Sequence, residues 1–136
     1  MLKTMTIAVA ISALLFSAAG TVVAQTQQEM NQKAVNNYKK ADKELNNTYK
    51  QILKEYAADS VFIKNLKISQ NIWVKFRDAE VKMKYPDDDY AGTATQMCKA
   101  QLMEQITKSR KKTLGVWLTG ITEGDACIGT VKVKSQ

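Results

Sequence analysis

From Gln27 to Ala58 the chain contains no glycine or proline, and a regular series of apolar positions runs through Met30, Ala34, Tyr38, Ala41, Leu45, Tyr49, Ile52 and Tyr56. Steps of three and four residues keep that series on one stripe of an α-helix, where 3.6 residues complete a turn. The spacing predicts one helix of roughly 45 Å at 1.5 Å per residue. The stripe is narrow, which suits an antiparallel neighbour better than burial on every side.

Asp59-Ser60 reads as the N-cap of a second helix over Val61 to Tyr85. Its apolar stripe is Phe62, Leu66, Ser69, Trp73, Phe76 and Met83, widened by Ile63 and Ile72. Pro86 ends it, because the ring cannot continue the hydrogen-bond ladder. An acidic loop, Asp87-Asp88-Asp89-Tyr90-Ala91-Gly92, follows. Thr93 or Thr95 is then expected to cap a third helix reaching about Leu118, with Met97, Leu102, Ile106, Leu114 and Trp117 as its apolar positions. Thr119 to Gln136 has no helical period; Val131 and Val133 alternate with lysines, as in a short strand or extended arm. The expected architecture is all-α: three long helices in an antiparallel up-down-up bundle, with a disulfide-pinned C-terminal tail.

The first residues read as an export signal. Lys3 supplies a positive start, Met5 to Phe16 an apolar core, and Val22-Val23-Ala24 a small-residue cleavage site before Gln25. The apolar run is shorter than the about 20 residues a membrane-spanning helix needs. The expected division is residues 1–24 as a removed signal, 25–118 as the bundle and 119–136 as an irregular tail folded back on it. A periplasmic or secreted bacterial protein follows from that reading. The formal charge of +7 falls by one when Lys3 is removed. Outside the inner membrane, lipid headgroups, lipopolysaccharide and acidic protein surfaces are the anionic candidates, and nucleic acid is not an expected partner. Spread lysines on helices are in most proteins a solvated face.

Cys98 and Cys127 are the only cysteines, and export would place them in an oxidising compartment. An intramolecular bond is the expectation, with an intermolecular bond or free thiols as the alternatives. Closing a loop of roughly 30 residues is worth about 3.6 kcal/mol in the chain-entropy account. Their separation and the absence of a Cys-x-x-Cys spacing argue against a redox role.

The chain contains no histidine. That removes Ser-His and Cys-His nucleophile pairs and histidine zinc sites. No glycine-rich phosphate loop is present and no cofactor is expected. A glycosidase needs only two carboxylates, so Asp42, Glu44, Asp78 and Glu80 are the residues to inspect. Positions 42 and 44 diverge on a helix, as do 78 and 80, so a working pair would have to form between helices. Nothing in the spacing favours that, and no enzyme is expected. Asp87 to Asp89 lack the ligand alternation and terminal Glu of an EF-hand, so a solvated loop is preferred to a calcium site.

Polar groups flank the stripes. Asp42 and Asn46 lie beside that of helix one, Arg77 and Asp78 beside that of helix two, and Arg110 between Ile106 and Leu114. In a bundle they would meet at seams, with Asp42 pairing to Arg77 or Arg110 in a structural polar network.

Three motifs in order resemble the LprI family of bacterial lysozyme inhibitors, small secreted helical proteins. The first is Glu29-Met30-Asn31 with Ala34, Tyr38, Ala41-Asp42, Glu44-Leu45-Asn46 and Tyr49. The second is Trp73, Phe76 and Arg77-Asp78-Ala79-Glu80. The third is Gly92-Thr93, Met97, Ile106-Thr107, Arg110 and Leu114. The family pattern carries cysteines where this chain has Lys33, Val81 and Leu102, so the disulfide geometry implied by the resemblance does not transfer.

The resemblance implies an inhibitor that blocks a peptidoglycan-cleaving, lysozyme-type hydrolase by binding it. The acidic loop, with Asp87, Asp88, Asp89 and Tyr90, is the expected partner-binding element, since tyrosine supplies contact area at small entropic cost. The alternative is an envelope adaptor or structural protein that binds anionic lipid, glycan or a protein through its lysine-rich faces.

Overall fold

The computed structural model describes residues 16–86, 92, 94–124 and 126–134, with side chains from residue 26 onward. Three helices follow one another: α1, Phe16–Glu55; α2, Ser60–Lys84; and α3, Thr95–Thr119. At 1.5 Å per residue α1 spans about 60 Å and each of the others about 37 Å, so α1 outruns the bundle. The helix expected from Gln27 therefore begins at least eleven residues earlier, at Phe16, with its C-terminal end close to the expected place.

Asp59 caps α2 as the sequence suggests: its side-chain oxygen accepts the backbone N–H of Phe62 at 2.9 Å. At the other end α2 stops at Lys84, just before Pro86. The cap of α3 departs from expectation. Its N-cap position is Ala94, with no side-chain cap bond, and Thr95 is already the first helical residue. Thr93 lies outside the described residues.

The polypeptide runs up, down and up, which leaves α1 and α3 parallel. Three contacts fix their register. Asn31 donates to Gln96 at 3.5 Å, Lys111 donates to Glu44 at 2.7 Å, and the Tyr56 hydroxyl donates to the Trp117 carbonyl at 3.0 Å. Ala34 and Ala41 of α1 and Ala100 and Thr107 of α3 are all buried. Small residues at these seven-residue intervals let two parallel helices approach closely along one seam. Larger side chains fill the other end, where Leu45, Ile52, Tyr56, Phe62, Leu66 and Leu114 form one cluster. The Tyr56 and Phe62 rings lie 4.6 Å apart, and Phe62 and Trp117 6.1 Å, tilted as aromatic pairs prefer.

Helix α2 belongs to this core only through its first turns. Phe62 and Leu66 are buried and Trp73 is half-buried, whereas Phe76 and Met83, expected on the buried stripe, are 54% and 73% exposed. The α1–α3 seam is the extensive one; α2 leans against α3 and touches it sparingly.

Past α3, Gly120 turns the chain with φ 71°, and a Cβ there would sit 2.7 Å from the Lys132 carbonyl. Glycine is required on both counts. Ile121 N–H donates to Lys132 and Lys134 N–H to Ile121, giving a single parallel bridge between Ile121 and Val133 rather than a strand. The Trp117 indole N–H donates to Thr130 at 3.0 Å, and the Lys132 ammonium lies 4.5 Å from the Tyr56 ring centre. The tail thus closes over the C-terminal end of α3.

That placement overturns the expected Cys98–Cys127 disulfide, which the structure does not form. Cys98 sits in the first turn of α3, and the tail holding Cys127 folds only as far as Trp117. The intervening helix separates those levels by about 28 Å at 1.5 Å per residue, and a disulfide needs Cα atoms within roughly 7 Å.

Candidate interaction surface

Trp73 is the centre of the polar seam. The Arg77 guanidinium lies 5.3 Å from its ring centre and the Arg110 guanidinium 5.8 Å. Each cation is attracted to the negative face of the indole ring. Position 73 follows Leu66 by seven residues, so the same turn phase that buries Leu66 brings Trp73 to the bundle.

Arg77 is the better satisfied of the two. Its side chain is 11% exposed, contacts Asp78 at 2.8 Å and reaches Asp42 of α1 at 3.6 Å. Asn46 donates to the other Asp42 oxygen at 3.0 Å and fixes that carboxylate. Burial raises the Tyr38 hydroxyl pKa above the usual tyrosine value, opposed by Arg77 and reinforced by Asp42 and Asp78. Asp42 and Asp78, two of the four carboxylates inspected for catalysis, both engage one guanidinium from different helices. Of the two pairings the sequence offered Asp42, with Arg77 or with Arg110, the structure places Arg77 beside it.

Arg110 does not take the Asp42 partner the sequence also allowed. Its Nε donates to Gln70 at 3.0 Å and its terminal amino group to Ser69 at 2.9 Å, both neutral acceptors on α2. Burial lowers its pKa from the ordinary arginine value. On either side of it the α2–α3 seam opens into a groove. One section, of about 400 Å³, is lined by Val61, Leu66, Leu114 and Trp117; the next, of about 430 Å³, by Trp73, Phe76, Leu102 and Ile106. Arg110 lines both.

A separate charged face crosses α1 and α3. Lys111 bonds to Glu44, and the Lys108 ammonium bonds to Glu104. The Lys111 bond holds the Glu44 carboxyl below its ordinary pKa, and the Glu104 bond raises that of Lys108.

Set beside known families, the chain matches the family model for the lysozyme inhibitor LprI over residues 18–114. The chain belongs to the LprI lysozyme inhibitor family. The matched span takes in α1 from its first turn, all of α2, and α3 as far as Leu114, so it contains the Trp73 seam and most of the groove. No curated protein and no solved structure matches the chain. Among the described residues no group of acids and cysteines could hold a metal ion, and no helix is long and apolar enough to cross a membrane.

The loop residues Asp87, Asp88, Asp89 and Tyr90 lie outside the described residues. Sequence reasoning missed Ser69 and Gln70 as partners of Arg110, and missed the groove. The available signal was Ile68 and Ile72, which place apolar side chains on a second face of α2 that one neighbouring helix cannot cover.

Proposed function

We propose that this protein is an exported inhibitor of a lysozyme-type, peptidoglycan-cleaving enzyme, and that it acts by stoichiometric binding. Membership of the LprI family carries the reading. The long α1–α3 seam supports it, because helices packed along such a length present a surface already formed before a partner arrives. The absence of histidine from the whole chain removes the commonest general acid–base group.

Removal of residues 1–24 would leave α1 starting near Gln25, with the α1–α3 seam from Ala34 onward intact. The contacting element is Asp87 to Tyr90, carried between the end of α2 and the start of α3. Its carboxylates complement the cationic surface of a basic hydrolase within a Debye length of about 8 Å, which offsets the repulsion between two basic proteins at longer range. Turbidity clearing of cell walls by several lysozymes, run with graded amounts of the protein at two salt concentrations, tests this. Clearing slows in proportion to added protein until the enzyme is titrated. Replacing Asp87, Asp88 and Asp89 by Asn weakens inhibition by more than about tenfold; unchanged potency rejects the loop as the contact.

A further inference from the structure

On α2, Val61, Ile68, Ile72, Phe76 and Met83 are between 48% and 73% exposed. At about 100° per residue these five positions fall within an arc of about 80° running the length of the helix. The stripe borders the α2–α3 groove, which Phe76 helps to line. A surface helix in a finished bundle turns such a stripe inward, so this one has the form of an unfilled helix–helix interface.

Charge says what fills it. The outer flank of the stripe carries Lys64 and Lys75, both exposed. On the inner side stands Arg110, half-buried between the two groove sections and hydrogen-bonded to the neutral oxygens of Gln70 and Ser69, with no ion pair among the described residues; Asp59, the cap of α2, and Glu80 each line one section, and Arg110 lines both. A guanidinium has five N–H donors and a fork that matches a carboxylate, and Arg110 spends two on neutral acceptors. A second copy of this chain is a poor occupant, since a two-fold pairing on this stripe would oppose lysine to lysine. A flat bilayer cannot reach a cation recessed between two helices. A narrow acidic element can.

We propose that the α2–α3 groove docks an amphipathic helical segment of an acidic partner protein, whose apolar side chains pack on Ile68, Ile72 and Phe76 and whose carboxylate reaches Arg110. Helix-in-groove recognition reads such a partner through anchors at i, i+3, i+4 and i+7. The surface is distinct in sequence from Asp87 to Tyr90, and the proposal stands independently of hydrolase inhibition.

The probe is a synthetic helical peptide with leucines at that spacing and glutamates on one flank, paired with a control carrying lysines in place of the glutamates. Trp73 and Trp117 are the only tryptophans and both line the groove, so their fluorescence reports occupancy directly. The glutamate peptide binds saturably and at least tenfold more tightly than the lysine peptide. Arg110→Gln weakens it at least tenfold. Ile72→Glu, at a position 62% exposed and so harmless to folding, does the same by opposing like charges. Equal binding of the two peptides, or none, overturns the proposal. So does saturable binding to phosphatidylglycerol vesicles with the peptides inert, which makes the stripe a membrane face. Sedimentation showing a dimer at micromolar concentration that Ile72→Glu dissolves overturns it in favour of self-association.

Discussion

Thr107 is fully buried in the α1–α3 seam, and its hydroxyl has no hydrogen-bond partner among the described residues. The position continues the seven-residue series of Ala100 and Leu114, where a β-branched methyl fits between parallel helices and a hydroxyl adds only desolvation. Thr107→Val keeps the shape and removes the unmet group. It stabilises the protein by about 1 kcal/mol, raising the melting temperature by a few degrees in calorimetry. Arg77 is the opposite case, a buried charge that is well partnered. Arg77→Ala strands Asp42 and removes a cation from the Trp73 ring, costing about 1–3 kcal/mol in chemical denaturation. The lower half of that range is expected, because Asp42 is 38% exposed and regains water. No change in either variant contradicts the account of the seam.

Among the elements, α2 is held at one end. Leu66→Ala opens the main cluster and costs about 2–5 kcal/mol, whereas Phe76→Ala on the exposed stripe costs less than about 1 kcal/mol. Amide exchange in the second half of α2 is faster than in α1 from Ala34 to Ile52; equal protection would place α2 inside the core. This asymmetry explains what could be read in advance. Ala34, Ala41, Leu45, Ile52 and Tyr56 were legible because their period matched the one long seam and all of them are buried. The pattern of α2 gave its limits and the Asp59 cap, but periodicity identifies an apolar face without counting the helices available to cover it. In α3 the buried residues Ala100 and Thr107 are small or polar and carry no hydrophobic signal, so the larger Met97, Leu102 and Ile106 drew attention and are only half-buried. The expected disulfide failed for a geometric reason: compartment logic can pair two cysteines that a straight helix keeps at opposite levels.

At the scale of the whole molecule, the bundle separates two kinds of surface. The α1–α3 face is cross-linked by Lys111–Glu44 and carries the Lys108–Glu104 pair within α3, while the α2–α3 side leaves an apolar stripe flanked by lysines and a recessed arginine. The chain belongs to a family of lysozyme inhibitors, and the contact proposed above is with a lysozyme-type hydrolase. Adding a fixed amount of lysozyme-type hydrolase to increasing amounts of the purified protein, with residual wall-clearing activity and complex mass measured on the same samples, tests that claim most directly. The account predicts activity falling linearly to a plateau at a fixed molar ratio, with a complex of that composition present. Clearing that continues unchanged at micromolar protein with no complex, for every hydrolase tried, contradicts it.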